Sequence, residues 1–279
     1  MIKLISIDVD GTLLDSQGNL PMGNIEPIKK AKQKGIHIIL NTGKPIGAIE
    51  DPYHILGLDD PVVTLTGGLV LENHQNRGWK MVRGSPISTS TFAMIYQAVK
   101  DMKISTHFLT ENITYIHHAI NDVEYLEEFD EAMRKFSCME YCVVPVSPLV
   151  DWAGLEMPPY KIMFFSDDKE EIERVWSALN EANIPGIISE YSSPRTVDVR
   201  TTDSGKKNAV IYLCHRYGID QSEVMALGDH ESDIELIQWA GIGAFMENGD
   251  QKYKAQVPLL APSNDACGVA TIIEKYALK

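Results

Sequence analysis

Two aspartates directly follow an apolar segment at the start of the chain. Residues 2–7 read Ile-Lys-Leu-Ile-Ser-Ile, and Asp8-Val9-Asp10-Gly11-Thr12 comes next. Isolated charges are costly at the edge of an apolar core. The pair of aspartates therefore indicates either a bound metal ion or a reaction that uses the two carboxylates. If the strand continues, alternation puts Asp8 and Asp10 on one side; if it ends at Asp8, both lie around one loop. Either arrangement lets their oxygens converge on a hard cation, and the alternative is an ordinary Asx-type turn.

Three further polar segments follow predicted strands, where open α/β sheets bind their ligands. They are residues 41–45 (Asn-Thr-Gly-Lys-Pro), 204–207 (Ser-Gly-Lys-Lys) and 227–233 (Leu-Gly-Asp-His-Glu-Ser-Asp). In the first segment, the Thr42 hydroxyl and the Gly43 amide at a helix start can form a small neutral cradle for an anion. Thr-Gly is also a common loop sequence, so this segment alone leaves both interpretations open.

The second segment offers positive charge and the third offers carboxylates. A lysine at the amino end of a helix opposes the macrodipole, so Lys206 or Lys207 is a candidate to bind an anion. A solvated lysine pair is the alternative. Asp229 and Asp233 lie four residues apart at a strand-to-helix junction, where one can bind a metal ion and the other can support it. Acidic capping of a helix is the alternative for this segment.

Hydrophobic periodicity predicts the elements that position these segments. In the first part of the chain, strands are predicted at 2–7, 36–40 and 62–65, helices at 25–34 and 46–56, and a hairpin of 69–72 with 79–82. Near the end, strands are predicted at 196–199, 224–227, 242–245 and 257–260, and helices at 206–217, 232–239 and 267–276. This alternation predicts an α/β fold with a Rossmann-like, doubly wound parallel sheet.

The middle of the chain has a different pattern. Helices are predicted at 89–102, 123–135 and 169–182, and strands at 104–109, 113–117, 160–165 and 186–190. We therefore predict a core domain of residues 1–83 plus 194–279 and an inserted α+β domain of residues 84–193. The predicted crossing points are Gly84-Ser85-Pro86 and Ser192-Ser193-Pro194. Four aromatic residues of the insert are predicted to be core residues rather than pocket residues: Phe108, Tyr115, Tyr160 and Phe164.

Composition narrows the class of protein. With 25 basic and 39 acidic residues the formal net charge is -14, which disfavours nucleic acid or an anionic membrane as a partner. The four cysteines form no Cys-x-x-Cys pair, which favours reduced, packed residues over a zinc site. No segment resembles a signal peptide, and the apolar patch near residues 62–71 is too short to cross a bilayer. We therefore expect a cytoplasmic protein.

The four motifs together resemble those of the haloacid dehalogenase (HAD) superfamily of phosphatases, and within it the Cof-type hydrolases. The matching residues are Asp-x-Asp-Gly-Thr-Leu at 8–13, Thr-Gly at 42–43, Lys206, and Gly-Asp-x-x-x-Asp at 228–233. Ser263-Asn264-Asp265 followed by Gly268-Val269-Ala270 is similar to the closing segment of that subfamily. The resemblance covers nearly the whole chain, and the order and spacing of the motifs make it specific.

The resemblance implies an Mg²⁺-dependent phosphatase that hydrolyses small phosphorylated metabolites, with sugar phosphates as the favoured class. Asp8 would be the nucleophile that forms an aspartyl-phosphate, and Asp10 would be the acid and then the base. Mg²⁺ would be held by the Asp8 side chain, the Asp10 backbone carbonyl and Asp229, while Asp233 would orient a metal-bound water.

The phosphoryl group would have its own set of ligands under this resemblance. Thr42, Lys206 and the amides near Gly11 and Gly43 would bind its oxygens, and Ser232 is a further candidate. Lys206 matches the family position better than Lys207. The insert would be an α/β cap, placed between the second and third motifs, that closes over the site and selects the leaving group. The oligomeric state is left open between a monomer and a homodimer.

Three residues depart from the family pattern. Thr66 stands where many members have asparagine, Ser232 replaces the usual asparagine before the last aspartate, and Lys44 replaces the usual arginine. Because the nucleophile, the acid, the lysine and the metal carboxylate are present, we expect catalysis to survive. The alternative is a phosphate-binding or regulatory protein on the same fold with weak turnover. A phosphotransferase or mutase is a further alternative, which the cap placement disfavours.

Overall fold

The computed structural model describes residues 1–74, 78–111, 113–118, 140–144 and 158–279. The chain divides into two compact units. The first unit consists of Met1–Arg83 and Gly205–Lys279, and the second unit consists of Gly84–Ser204. The predicted helix at 123–135 lies outside the described residues. Among the described residues, no helix is both long and apolar enough to span a membrane.

The described elements follow one another in this order. The chain begins with β1 (Leu4–Ile7), α1 (Met22–Gln33), β2 (His37–Leu40), α2 (Glu50–Leu56), β3 (Val62–Thr64), β4 (Leu69–Asn73) and β5 (Trp79–Gly84). It continues with α3 (Thr89–Val99), β6 (Ser105–Leu109), β7 (Ile113–His118), β8 (Glu140–Val144), β9 (Lys161–Phe165), α4 (Lys169–Glu181), β10 (Ile187–Ser193) and β11 (Thr196–Thr201). It ends with α5 (Lys206–Tyr217), β12 (Val224–Gly228), α6 (Glu231–Trp239), β13 (Ile242–Met246), α7 (Gln251–Lys254), β14 (Leu260–Ala261) and α8 (Gly268–Tyr276).

A five-stranded parallel sheet forms the centre of the first unit. Its strand order is β14-β13-β12-β1-β2, so β1 lies between β12 and β2. The predicted α/β fold with a parallel sheet is thus confirmed. All four residues of β1 are buried, as expected for a strand covered on both faces. Ile7 pairs with Leu40 on one side and with Leu227 on the other, so the residues after β1, β2 and β12 lie at one edge.

The strand β3 departs from the predicted arrangement. It contacts the parallel sheet through a single bridge between Asn41 and Val63, and it pairs along its length with β4 in an antiparallel sheet of β3, β4 and β5. The backbone turns sharply directly after β3, because Leu65 and Thr66 both have positive φ angles. The chain therefore leaves the parallel sheet after one bridge and forms a meander.

One predicted helix is broken in the structure. Residues 46–56 form a single turn at Ile46–Ala48 and then α2, with Ile49 at φ -124° and ψ 0° between them. Pro52 lacks the N–H that a continuous helix would bond to the carbonyl of Ala48, which explains the break. In α1, Pro27 is tolerated inside the helix, which begins three residues before its predicted start.

A six-stranded sheet forms the second unit. Its order is β10-β11-β9-β6-β7-β8, and every described pairing is antiparallel except that of β7 with β8. The helices α3 and α4 contribute Phe92, Ile95, Ile172 and Val175 to an apolar cluster with Phe108, Tyr115 and Phe164 of the sheet. Tyr160 is also buried. The prediction that these aromatic residues are core residues is therefore confirmed.

The strand at Thr196–Thr201 lies in the second unit, whereas the sequence placed residues 196–199 in the core domain. It pairs antiparallel with both β10 and β9. Ser192 and Ser193 end β10 and Pro194 lies in the turn of the β10–β11 hairpin, so this segment is not a crossing point. The boundary predicted between residues 193 and 194 lies between Ser204 and Gly205. A proline-containing loop and a hairpin turn look alike in sequence, which explains the error.

Candidate active site

Asp8 directly follows β1, which lies between β12 and β2 in the parallel sheet. Its carboxylate is almost completely buried. The chain then turns through Val9–Leu13, where Asp10 and Gly11 leave helical geometry and Gly11 has a φ of 74°. A Cβ atom at Gly11 would lie 2.3 Å from Oδ2 of Asp229. Glycine is therefore required twice at this position, for its backbone angle and for the close approach of Asp229.

Lys206 joins two aspartates from distant parts of the chain. Its Nζ lies 2.7 Å from Oδ1 of Asp8 and 2.7 Å from Oδ1 of Asp233. Only 3% of the Lys206 side chain is exposed, so the ammonium is compensated by carboxylates rather than by water. Asp233 also accepts a hydrogen bond from the backbone N–H of His230 at 3.1 Å. A Cβ atom at Gly228 would lie 2.2 Å from Cγ of Asp233, so the end of β12 leaves room for this carboxylate.

Asp229 completes a cluster of three carboxylates. The Thr12 hydroxyl donates a hydrogen bond to Oδ1 of Asp229 at 2.7 Å. One carboxylate oxygen from each of Asp8, Asp229 and Asp233 lies within 4.8 Å of the other two. The structure thus brings together three aspartates that the sequence singled out, and Lys206 with them. Asp10 contributes no side-chain oxygen to this cluster.

The pKa values of the cluster are shifted mainly by burial and then by the neighbouring charges. Burial and the charge of Asp8 raise the pKa of Asp229 to about 8. Burial also raises the pKa of Asp8, although the Lys206 ammonium acts in the opposite direction. For Lys206, burial favours the neutral amine, but Asp233 and Asp8 reverse that effect and keep its pKa above the usual value. Lys206 is therefore charged, while the carboxylates lack one positive partner.

A divalent cation fits this donor set. The cluster holds three carboxylates and one ammonium, which contacts Asp8 and Asp233, so two negative charges are uncompensated when all three carboxylates are ionised. Oxygen ligands are those that hard cations such as Mg²⁺ prefer. The loop supports the same interpretation: Leu13 N–H bonds the carbonyl of Asp8 and Leu14 N–H bonds that of Val9, whereas the Asp10 carbonyl takes part in neither bond.

Lys206 owes its position to a close backbone contact at the start of α5. The N–H of Gly205 donates to the carbonyl of Thr66 at 2.9 Å. A Cβ atom at Gly67 would lie 2.2 Å from the carbonyl oxygen of Gly205, so glycine at 67 permits this approach. Asn41, fully buried at the end of β2, donates to Ser6 Oγ at 3.1 Å and to the carbonyl of Lys206 at 3.3 Å.

The second motif lies at the end of β2 beside β1. Thr42 is buried, and its hydroxyl oxygen accepts a hydrogen bond from the backbone N–H of Lys44 at 3.1 Å. Gly43 lies between them in the same loop. The Lys44 Nζ lies 2.7 Å from Oδ1 of Asp10, and both side chains are about half exposed. Lys44, one of the three departures from the family pattern, thus contacts Asp10, the predicted acid.

Two further predicted residues lie at the margin of the site. Ser232 is partly exposed in the first turn of α6, next to the buried Asp233. The Lys207 Nζ forms an ion pair with the exposed Glu235 at 3.0 Å, away from the carboxylate cluster that Lys206 contacts. Of the two adjacent lysines, Lys206 is the one that contacts the carboxylate cluster.

Sequence reasoning missed three asparagines that bind the loop after β1. Asn248 donates to the carbonyl of Gly11 at 2.7 Å, Asn24 donates to that of Leu13 at 3.1 Å, and Asn264 donates to that of Leu14 at 2.9 Å. Asn248 follows β13 at the carboxyl edge of the sheet, where ligands are bound, but this position does not by itself indicate a contact with the loop after β1. Asn264 belongs to a closing segment whose role the sequence left unassigned.

Comparisons with known proteins identify the family of this chain. The haloacid dehalogenase-like hydrolase family profile matches residues 5–273. YxeH of Bacillus subtilis (strain 168) is 28% identical over 285 residues, covering 100% of this chain and 99% of that protein. A second protein of that organism, the 5-amino-6-(5-phospho-D-ribitylamino)uracil phosphatase YwtE, is 26% identical over 294 residues and 98% of each chain.

Solved structures show the same fold. A haloacid dehalogenase-like hydrolase from B. subtilis superposes with a TM-score of 0.82 at 21% identity, covering 99% of this chain and 100% of its own. The sugar phosphatase BT4131 of HAD subclass IIB gives a TM-score of 0.80 at 19% identity, with 99% and 100% coverage. Because the family profile spans nearly all of the sequence, the chain belongs to the haloacid dehalogenase-like hydrolases.

Proposed function

We propose that this protein is an Mg²⁺-dependent phosphatase that hydrolyses small phosphorylated metabolites, with sugar phosphates as the favoured class. One observation carries the proposal: three carboxylates share a cluster, and the buried Lys206 Nζ lies 2.7 Å from the Asp8 carboxylate. This arrangement supplies a nucleophile, a fixed positive charge and a cation site at one edge of a sheet. Phosphoryl transfer depends on such positioning and charge neutralisation.

Asp8 is the proposed nucleophile. A carboxylate oxygen of Asp8 attacks phosphorus, the bond between phosphorus and the ester oxygen breaks, and Asp10 gives its proton to the departing alcohol. Asp10, now ionised, takes a proton from water. That water attacks the phosphorus of the aspartyl-phosphate, releases orthophosphate and restores Asp8. The Asp10 side chain is half exposed and lies outside the carboxylate cluster, so it is accessible to a leaving group, and Lys44 is its ion-pair partner before substrate binds.

The remaining site residues hold the phosphoryl group in this proposal. Lys206 places an ammonium against it, and its two aspartate partners keep the ammonium charged. The Thr42 hydroxyl accepts a hydrogen bond from Lys44 N–H and so has its own hydrogen available for a phosphoryl oxygen. The backbone amides near Gly11 and Gly43 are the other proposed ligands of the phosphoryl oxygens, and Ser232 is a further candidate.

Asp8, Asp229 and the Asp10 carbonyl are the proposed ligands of Mg²⁺, and Asp233 supports a bound water. When bound, the ion offsets negative charge on the nucleophile and on the phosphoryl oxygens. Since the Asp233 oxygen lies in the same cluster as the other two carboxylates, it is close enough to act on a ligand of the ion.

The substrate class is inferred from relatives and from charge. YwtE is named for a substrate with a phosphorylated ribityl chain, which is a phosphate ester on a polyol. The second unit is the proposed cap that selects the leaving group. The net charge of -14 disfavours nucleic acid and anionic membranes as partners, so a small molecule is the proposed partner.

Phosphate release from para-nitrophenyl phosphate tests the proposal directly. We expect release that requires Mg²⁺, stops on addition of EDTA, and is lost in Asp8→Asn, whose side chain has the same shape but is a far weaker nucleophile. A panel of phosphorylated sugars, polyols and cofactors then defines the substrate class. Metal-independent release would overturn the proposed Mg²⁺ dependence, whereas no release from any panel member would overturn the phosphatase proposal and favour a phosphate-binding protein.

A further inference from the structure

The loop after β1 has two backbone hydrogen bonds of its own, from Leu13 to Asp8 and from Leu14 to Val9, and neither involves the carbonyl of Gly11. Its central residue, Gly11, has a positive φ and must lack a side chain because Asp229 lies against it. Glycine is the most flexible residue in the unfolded chain and the most costly to fix. The geometry of residues 10–12 therefore depends on groups outside the loop.

Three side-chain amides supply this support, and Asn248 is the one bound to Gly11 itself. Because Asp10 and Gly11 leave helical geometry, the carbonyls of the loop lack a regular pattern of backbone partners. Asn248 donates to the carbonyl of Gly11 at 2.7 Å, and its own Oδ1 accepts a bond from the N–H of Asn264 at 2.9 Å. The amide is thus fixed at both of its ends.

The bond from Asn248 orients one peptide unit. The C=O of Gly11 and the N–H of Thr12 belong to the same planar trans peptide and point in opposite directions. Binding of the carbonyl by Asn248 therefore turns the Thr12 N–H away from Asn248. The Thr12 hydroxyl is bonded to Asp229 at 2.7 Å, so this residue is fixed from two sides.

A second contact ties the same segment to Asp229. A Cβ atom at Gly249 would lie 2.5 Å from the backbone oxygen of Asp229. Asn248 therefore contacts the loop, and the adjacent Gly249 lies against the backbone of a member of the carboxylate cluster. We propose that Asn248 is a positioning residue of this site: it holds the Gly11 peptide, and through it the Asp10 carbonyl and the Thr12 amide, in the orientation needed for the cation and the phosphoryl group. The proposal rests on the phosphatase function proposed above.

Asn248 is well suited to a test because it is exposed, so its replacement removes little packing. Asn248→Ala removes the donor, and Asn248→Asp keeps the shape but presents a carboxylate oxygen to the Gly11 carbonyl. Gln256→Ala is the matched control: Gln256 is also exposed and its side-chain amide donates to a backbone carbonyl, that of Lys252, at 3.0 Å. It lies in the same unit and does not contact the loop.

Three measurements are made on each full-length variant: the Mg²⁺ dissociation constant by calorimetry without substrate, kcat and KM with para-nitrophenyl phosphate, and the melting temperature. A lost hydrogen bond of about 1.4 kcal/mol corresponds to a factor of about 10. We expect both Asn248 variants to bind Mg²⁺ about 10-fold more weakly or to lose kcat about 10-fold, with the larger loss in Asn248→Asp. Their melting temperatures should match that of Gln256→Ala.

The outcomes separate this proposal from the function it rests on. Variants that bind Mg²⁺ and turn over substrate like Gln256→Ala would overturn the positioning role. A fall in melting temperature that accounts for the loss of activity would also overturn it, because Asn248 would then be merely structural. If the wild type releases no phosphate but Asn248→Ala still weakens Mg²⁺ binding, the phosphatase proposal fails while the positioning role stands.

Discussion

The Nζ of Lys206 lies 2.7 Å from Oδ1 of Asp8, although the two residues are separated by 198 positions in the chain. The contact forms because β1, which lies between β12 and β2, ends at the edge of the parallel sheet where α5 begins. Asp233 is bonded to the same ammonium, so one lysine compensates part of the charge of two carboxylates. The site is therefore a charge arrangement that only the folded chain assembles.

Replacement of Lys206 should abolish most of the activity, whereas replacement of Lys207 should not. Loss of the ammonium removes the charge beside the nucleophile, and removal of one such stabilising group typically costs about 10²–10³ in kcat. We expect a loss of that size in Lys206→Ala, measured as Mg²⁺-dependent phosphate release. Lys207→Ala is the control, because Lys207 pairs with the exposed Glu235 and should lose less than a factor of about 2. Equal and mild losses in both would contradict the assignment.

Gly11→Ala should disrupt the carboxylate cluster more than it disrupts the fold. The added Cβ would meet Oδ2 of Asp229 at 2.3 Å and force that carboxylate to move. Gly18→Ala is a matched control, since Gly18 has a similar φ of 79° but nothing within 4 Å of its Cβ position. Both variants carry about 1 kcal/mol of left-handed backbone strain. We expect calorimetry to show Mg²⁺ binding retained in Gly18→Ala and lost in Gly11→Ala; similar affinities would refute the close contact.

Thr66 is strained, and substitution by asparagine should relieve it. Thr66 has φ 54° and ψ 45°, a left-handed conformation that is unusual for a β-branched residue and tolerated by asparagine. The backbone carbonyl that accepts from Gly205 is unchanged by the substitution. We expect Thr66→Asn to raise the free energy of unfolding by about 0.5–1 kcal/mol, measured by urea denaturation.

The buried Thr66 side chain needs its own control. Thr66→Ala removes the branched side chain but keeps an L residue in the left-handed region, so it should be less stable than Thr66→Asn. If Thr66→Asn is less stable than the wild type, packing of the Thr66 side chain outweighs the backbone strain.

Much of the first unit was predictable because its signals are local. Two local signals stand out in the sequence: the carboxylates after β1 and β12, and the lysine at the start of α5. Charged residues next to buried strands are costly unless a partner or a ligand compensates them. Asn248 does not stand out, because asparagine before glycine is an ordinary turn pair. Its importance comes from the carbonyl it meets 237 positions away, and no local pattern reveals that contact.

The strand β11 shows a different limit. Its alternation correctly predicted a strand, but alternation does not state which sheet a strand joins. The partners of β11 are β9 and β10, and that pairing depends on a hairpin turn around Pro194 that resembles a domain linker. The sequence therefore predicted the strand correctly but assigned it to the wrong unit.

The stability of the metal-free protein should fall as pH rises towards 8. Burial and the Asp8 charge raise the pKa of Asp229 from its ordinary 3.8 to about 8 in the folded state. Between these values the folded protein holds a proton that the unfolded chain has released, so each rise in pH favours unfolding. Above pH 8 both states have released it, and this contribution becomes flat. Melting temperatures between pH 5 and pH 9 should therefore decline and then level off.

Mg²⁺ should remove this dependence, because a bound cation keeps Asp229 ionised. Below pH 8 binding must then displace about one proton, and the affinity should weaken as pH falls. Calorimetry at pH 7 in two buffers with different ionisation enthalpies measures that proton directly. Asp229→Asn is the control: this side chain cannot titrate, so the variant should show a smaller decline in melting temperature and release fewer protons than the wild type, and Asp8 contributes what remains. A wild-type protein that binds Mg²⁺ without releasing a proton at pH 7 would show that Asp229 is already ionised, and that the charge of the cluster is compensated by some other group.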